Sequence, residues 1–214
     1  MNRDLSEYRK NYKLDFLEEK DLTASPMDLF SKWFKEVENE GSLEEANAMT
    51  LSTLEEDGFT RGRIVLLKSY DKDGFVFYTN YTSQKAKAIE KHNKVGISFF
   101  WPNLERQVTI KGIIEKLDEA KSELYFNSRP EGSKLGAWAS NQSSVIESRE
   151  VLENKLAALE EEYKNKEITK PPFWGGYIVR PVEIEFWQGR PNRLHDRFRY
   201  AKKGNDWKVD RLAP

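Results

Sequence analysis

Short runs of β-branched and aromatic residues recur along this chain, each closed by a strong turn signal about every ten residues. The run 46–54 meets Glu56-Asp57-Gly58, the run 61–70 meets Asp71-Lys72-Asp73-Gly74, and the run 75–79 follows directly. Asp-Gly supplies the positive φ of a tight hairpin, so these runs are expected to pair antiparallel. Two more runs lie near 95–101 and 106–117. The tail reads as strands over 176–188, 193–200 and 207–212, separated by Gly189-Arg190-Pro191-Asn192 and Lys203-Gly204-Asn205-Asp206. This many strands must hide their edges. The expectation is a mainly β (α+β) fold, a closed or nearly closed antiparallel barrel with flanking helices.

The helices announce themselves by caps and period. Ser25 is a good N-cap, Pro26 suits the first turn and Asp28 favours the helix dipole. Leu29, Phe30, Trp33, Phe34 and Val37 then form an apolar stripe. Shorter helices are expected from Ser83 to about Lys91, over 118–128 where Pro130 ends the run, and over 132–139. The most regular helical spacing is 148–164, with Leu152, Leu156, Leu159 and Tyr163 three or four apart. No internal repeat or low-complexity stretch interrupts the pattern. Residues 23–214 read as one domain, preceded by a charged arm over 1–22.

Composition removes several classes of function. The chain has no cysteine, which eliminates disulfides, thiolate nucleophiles and iron–sulfur ligation and fits a reducing, cytoplasmic setting. Two histidines, His92 and His195, are too few for a His-rich metal centre, and no metal is expected. Lys and Arg (35) nearly balance Asp and Glu (36), so a nucleic-acid partner is not expected and any anion site must be local. No run approaches the ~20 apolar residues needed to span a bilayer, so no membrane partner is expected. Neither a dinucleotide-binding glycine motif nor a P-loop occurs.

Three groups of side chains stand out. Between Arg190 and Lys203 six basic residues and His195 face one acid, Asp196. On a regular strand Arg193, His195 and Arg197 would share a face and converge on a planar anion. By pattern alone, a solvated basic strand edge is the more ordinary reading. Tyr125 and Arg129 are four apart on an expected helix, with Ser133 just beyond, which suits a phosphate but also suits a tyrosine packed on an arginine stem. Arg63 and Lys68 flank an apolar strand with opposite parity, so a bulge or backbone groups must intervene for both to serve one ligand.

Motifs in order along nearly the whole chain change the balance. RIVLLK (63–68), FYTN (77–80), LERQV (104–108), SRP (128–130), FWGG (173–176), IEFWQG (184–189), RLHDRF (193–198) and WKVDRLAP (207–214) together resemble the pyridoxine/pyridoxamine 5′-phosphate oxidase family, flavoproteins of the FMN-binding split-barrel fold. The resemblance implies FMN bound by Arg63, Ile64, Val65, Leu66, Leu67, Lys68, Tyr78, Thr79, Gln84, Lys85, Gln107, Gln142, Ser143, Trp187 and Arg197. It implies a substrate-phosphate pocket of Lys68, Tyr125, Arg129 and Ser133. It further implies catalytic Arg193 and His195, with Leu194 beside them, and an N-terminal lid of Arg9, Lys10, Asn11 and Tyr12. The activity implied is oxidation of pyridoxamine or pyridoxine 5′-phosphate to pyridoxal 5′-phosphate with O2, releasing H2O2. The partner implied is a second copy of the chain, with FMN at the homodimer interface and the C-terminal strands serving dimerisation and substrate binding. One departure is visible: Gln84-Lys85 stands where many relatives pair two basic residues. Another split-barrel flavoprotein, or a non-enzymatic module binding vitamin B6 phosphates or RNA, are the competing readings.

Overall fold

The computed structural model describes residues 3–214; Met1 and Asn2 of the expected arm lie outside the described residues. After the arm and a 3-10 turn at Glu19–Asp21 comes α1 (Pro26–Glu40), followed by β1 (Ala48–Leu54), β2 (Thr60–Leu66), β3 (Ser69–Asp71) and β4 (Gly74–Asn80). Next are α2 (Gln84–Lys91), β5 (Lys94–Trp101), β6 (Arg106–Lys116), α3 (Glu119–Asn127), α4 (Glu131–Ala139) and α5 (Arg149–Tyr163). The chain closes with β7 (Trp174–Gln188), a 3-10 turn at Pro191–Arg193, β8 (Asp196–Lys203) and β9 (Asp206–Arg211). Among the described residues the strands form one nine-stranded sheet in the order β2-β1-β5-β6-β7-β4-β3, with β8 on β7 and β9 on β8. The β3–β4, β4–β7, β7–β8 and β8–β9 pairs are antiparallel, and the Asp73-Gly74 and Gly204-Asn205 turns join the first and last of these pairs. No helix among the described residues is long and apolar enough to cross a membrane.

Two expected strands are shorter or broken. The run 61–70 splits at Leu67–Lys68 into β2 and β3, and the Lys68 N–H bonds instead to the carbonyl of Val76 at 2.8 Å. The last turn also corrects an expectation. Asn192 (φ 58°) and Arg193 (φ 62°) are left-handed, so the chain is still turning there and β8 begins only at Asp196. The alternation that was to put Arg193, His195 and Arg197 on one strand face does not apply, because two of them precede the strand.

The described chain divides into two compact units, and four strands, β1, β5, β6 and β7, have residues in both. One unit holds the residues up to Thr50, Gly96–Lys111 and Pro181–Pro214. Its core is the stripe foreseen on α1. Phe30 packs on Phe99 and Trp101 with ring centroids 5.2 and 6.0 Å apart, and Trp33 meets Phe186 edge-on at 5.2 Å. The Ser25 hydroxyl caps the helix by accepting from the Met27 N–H, and Gly41 (φ 74°) ends it. Arg106 is buried beneath this helix, its guanidinium 4.5 Å from the Trp33 ring and ion-paired with Asp15 and Glu36. Burial of that charge is tolerated because each of its nitrogens has an acceptor, including Gln188 Oε1 at 2.8 Å.

The other unit, Leu51–Val95 and Gly112–Arg180, carries α2 through α5. The α5 stripe buries only in part, packing Leu156, Leu159 and Tyr163 against a small core of Phe126, Leu135, Ile168 and Trp174. Here β4 and β7 approach so closely that some side chains have no room. A Cβ on Gly74 would stand 2.2 Å from the Val179 carbonyl oxygen, at a φ of 150° that L-residues rarely adopt. Gly74→Ala is therefore expected to destabilise the protein by about 2–4 kcal/mol, through a backbone clash that cannot be relieved by side-chain rotation. A urea midpoint equal to that of the wild type would contradict this packing.

Candidate active site

The break between β2 and β3 opens a cavity of about 670 Å³. Its walls come from Ile64, Val65 and Leu66 of β2, Lys68 at the break, Tyr78, Thr79 and Asn80 of β4, and Lys85 of α2. Opposite them stand Tyr125 of α3, Arg129, Ser133 of α4, Gln142 and Trp174 of β7. Ile64, Leu66 and Lys68 share parity and all line the cavity, whereas Arg63, of opposite parity to Lys68, does not.

One end of the cavity is aromatic and cationic. Tyr78 stacks on Tyr125 with centroids 3.9 Å apart, and the Trp174 ring lies within 9° of parallel to both. The Arg129 guanidinium sits 4.8 Å from the Trp174 centroid. Its Nη1 is buried without a hydrogen-bond partner, and desolvation pulls its pKa below the usual arginine range. A partly buried cation with an unmet donor gains from an arriving anion, because the anion offsets the donor's desolvation cost. Ser133 N–H already bonds to the Pro130 carbonyl, so its hydroxyl is the group available to a ligand.

Towards the other end, the Lys85 ammonium donates to Thr79 Oγ1 (3.1 Å), Ser83 Oγ (3.2 Å) and Gln142 Oε1 (2.6 Å), all neutral acceptors. Burial, with help from the charge of Arg63, lowers its pKa to about 8. A lysine held this way gains from any anion brought to it. Arg63 itself points elsewhere. Its guanidinium meets Glu55 Oε1 at 2.9 Å, Thr53 Oγ1 at 2.6 Å and the Leu51 carbonyl at 3.2 Å, and it does not line the cavity. Leu67 is buried in the core, Gln84 is exposed, and Ser143, in a left-handed conformation (φ 73°), is also exposed; none of the three lines the cavity.

A second cavity, of about 470 Å³, is lined by the arm residues Tyr8 to Tyr12 together with Arg190, Asn192, Arg193 and His195. The expected lid residues Arg9, Lys10, Asn11 and Tyr12 thus do meet the expected catalytic pair. Leu194 is 68% exposed and takes no part. Buried Glu105 anchors the arm: its Oε2 accepts the N–H groups of Lys13 (2.8 Å) and Leu14 (3.1 Å), and its Oε1 pairs with Lys10 at 3.3 Å. Gly189 lies flat beneath Tyr12, where a Cβ would fall 2.8 Å from the ring.

His195 is held between Trp187 (4.5 Å) and Tyr12 (5.9 Å). Its Nδ1 accepts the Arg190 backbone N–H at 3.0 Å. Burial, reinforced by the Arg193 charge, lowers its pKa, so the ring is neutral at pH 7. With Nδ1 accepting, the proton of the neutral ring sits on Nε2, and the imidazole presents a donor rather than a base. Arg197 is committed to Glu185 at 2.8 and 3.1 Å and to the Ala213 carbonyl at 2.8 Å. Gln107 lies on β6, half-buried, and lines neither cavity. Among the described residues no group of three or more His, Asp or Glu side chains is placed to hold a metal ion.

Several residues of these sites had no role assigned from sequence. Trp174 completes the aromatic stack, Glu55 neutralises Arg63, Glu105 ties down the arm and Arg190 sets the His195 tautomer. Trp174 and Glu105 sit inside the quoted FWGG and LERQV motifs and Arg190 opens the basic run 190–203, which was the available signal; Glu55 carried none.

Residues 36–163 match the family described as pyridoxamine 5′-phosphate oxidase, and 174–214 match its pyridoxine 5′-phosphate oxidase C-terminal dimerisation region. Proteins named pyridoxine/pyridoxamine 5′-phosphate oxidase are similar over the full length. That of Flavobacterium psychrophilum is 55% identical over 99% of this chain and 100% of its own, and that of Christiangramia forsetii is 52% identical over 100% of both. Among solved structures, PhzG from Burkholderia lata 383, in complex with tetrahydrophenazine-1-carboxylic acid, superposes with a TM-score of 0.88 at 29% identity, covering 96% of this chain and 100% of that one. A pyridoxamine 5′-phosphate oxidase-related, FMN-binding protein from Nostoc punctiforme shares the fold, with a TM-score of 0.70 at 16% identity over 90% of this chain and 100% of that one. Full-length identity above one half and the shared antiparallel split β-barrel with flanking helices lead to one conclusion: this chain belongs to the pyridoxine/pyridoxamine 5′-phosphate oxidase family of oxidoreductases.

Proposed function

We propose that the protein oxidises pyridoxamine or pyridoxine 5′-phosphate to pyridoxal 5′-phosphate, with FMN as cofactor and O2 as electron acceptor. The observation that carries this reading is a single cavity lined by two cations that lack carboxylate partners, Arg129 and Lys85, together with parallel aromatic rings. Two phosphorylated, ring-bearing molecules suit such a cavity: a substrate phosphate on Lys68, Tyr125, Arg129 and Ser133, and a flavin phosphate near Lys85. The residues expected to hold FMN also include Ile64 to Leu66, Tyr78, Thr79 and Gln142, which line the same cavity. When bound, FMN supplies the hydride acceptor for the substrate C4′ and passes the electrons to O2 as H2O2. The alcohol yields the aldehyde directly, and the amine yields it with uptake of water and release of ammonia.

The chain's own contribution is orientation. Arg129 and Ser133 fix the phosphate, while Arg193 and the Nε2–H of His195 hold the pyridine ring. Their cavity is separate from that of Lys85 and Arg129, and Gln107, Trp187 and Arg197 also lie in the first of the two units. We therefore include a homodimer in the proposal, with one subunit's flavin cavity facing the partner's Arg193 and His195. The match of 174–214 to a dimerisation region supports this. A cytoplasmic setting belongs to the same proposal.

An oxygen electrode with pyridoxamine 5′-phosphate and FMN tests the activity; no oxygen uptake would sink it. Arg193→Ala and His195→Ala are each expected to lower kcat/KM by about 10²-fold or more while leaving FMN affinity close to wild type. Wild-type kcat/KM in both variants would remove them from the site. Lys85 makes the cofactor's affinity depend on pH. Its folded-state pKa of about 8 means that above this value an arriving phosphate must bring a proton with it. FMN Kd, followed by flavin fluorescence, should be flat up to about pH 7.5 and then rise towards tenfold per pH unit, and Lys85→Met should bind more weakly with no such rise. A flat wild-type profile to pH 9.5 would contradict the role given to Lys85.

A further inference from the structure

Beside Lys85, the sheet gathers more positive charge than it neutralises. Arg61 and Arg63 are two apart on β2 and so share a face, and the charge of Arg61 acts on Arg63. The charge of Arg63 in turn reaches Lys85. Among the described residues the three cations have one carboxylate between them in direct contact, Glu55, which belongs to Arg63. Lys85 has only neutral partners, and Arg61 donates through Nη1 to the neutral Gln84 Oε1 at 2.5 Å. Three cations and one carboxylate leave two uncompensated positive charges. A phosphate monoester carries about −1.5 to −2 at neutral pH, which matches that excess.

Gln84 is the residue immediately before Lys85, at the first position of α2. It brings no charge of its own, yet its side-chain carbonyl accepts from a guanidinium supplied by a different element. Repulsion from Arg63, two residues along the same strand, would otherwise turn this arginine away. The hydrogen bond to Gln84 opposes that and keeps the charge on the α2 side of the strand.

We propose that Arg61, held on Gln84, is a further anion-binding residue for the cofactor phosphate, supplying from β2 the second charge that α2 lacks at position 84. This inference rests on the FMN reading above. Arg61 is exposed, so its contribution is long-range, screened by salt and specific to the phosphate rather than to the flavin ring.

The test compares FMN with riboflavin, which has the same ring and no phosphate, by quenching of flavin fluorescence on the full-length protein. Arg61→Ala should weaken FMN binding by about tenfold at low salt and leave riboflavin binding unchanged. The difference from wild type should vanish at about 1 M NaCl, where the Debye length is ~3 Å. Arg61→Lys should restore most of the affinity in low salt, and Gln84→Leu, which removes the acceptor but no charge, should weaken FMN binding by a smaller factor. Equal FMN affinity in Arg61→Ala and wild type overturns the inference while leaving the FMN reading intact, as does an equal loss for FMN and riboflavin. If the wild type binds neither flavin, the FMN reading itself fails and takes this inference with it.

Discussion

One strand, β7, constrains the arrangement of everything that binds. Its first residues, Trp174 to Val179, pair with β4, and its last, Glu183 to Gln188, pair with β8. Every backbone N–H and C=O along it needs a partner, so a shift of register at one end would be felt by both ladders. Because successive side chains alternate, the register places Trp174 in the aromatic stack and Trp187 against His195. The same pairing demands glycine where the sheet is crowded. Side chains on Gly175 and Gly176 would collide with Tyr81 and with Tyr78 and Leu117. The FWGG and IEFWQG motifs at the two ends of β7 therefore carry packing and site together.

Charges in the molecule fall into two kinds. Arg63, Arg106, Arg197 and Arg211 each meet carboxylates, and these pairs organise the sheet, the arm and the C-terminal strands. Arg129 and Lys85 meet none, though both are partly withdrawn from water, and desolvation lowers the pKa of each. A cation is costly to bury unpaired, and the cost falls when an anion arrives. Arg63, which the resemblance assigns to the cofactor, illustrates the difference: its guanidinium is paired with Glu55, and its charge also acts on Lys85. His195 extends the same logic to a neutral group, since the Arg190 N–H on Nδ1 selects which nitrogen carries the proton.

The fold by itself does not choose a substrate, because split barrels hold different ligands in related cavities. What distinguishes this cavity is the set of groups lining it: an unmet guanidinium, parallel aromatic rings and a lysine surrounded by hydroxyl and amide oxygens.

Local sequence determined the elements. The Asp-Gly turns, the Ser25 cap with its apolar stripe, and the long β7 run appear within a residue or two of where period and turn chemistry put them, because each depends on neighbours close in the chain. The ordered motifs identified the family and named part of the lining of each cavity. Tertiary structure decided where those side chains point. The strand break at Lys68, the left-handed turn at Asn192 and Arg193, the turning of Arg63 to Glu55, the clamp of Glu105 on the arm and the reach of Arg61 to Gln84 all join residues distant in sequence. Such contacts arise from a competition among charges, sterics and hydrogen bonds that exists only once the strands have paired, so no local pattern could encode it.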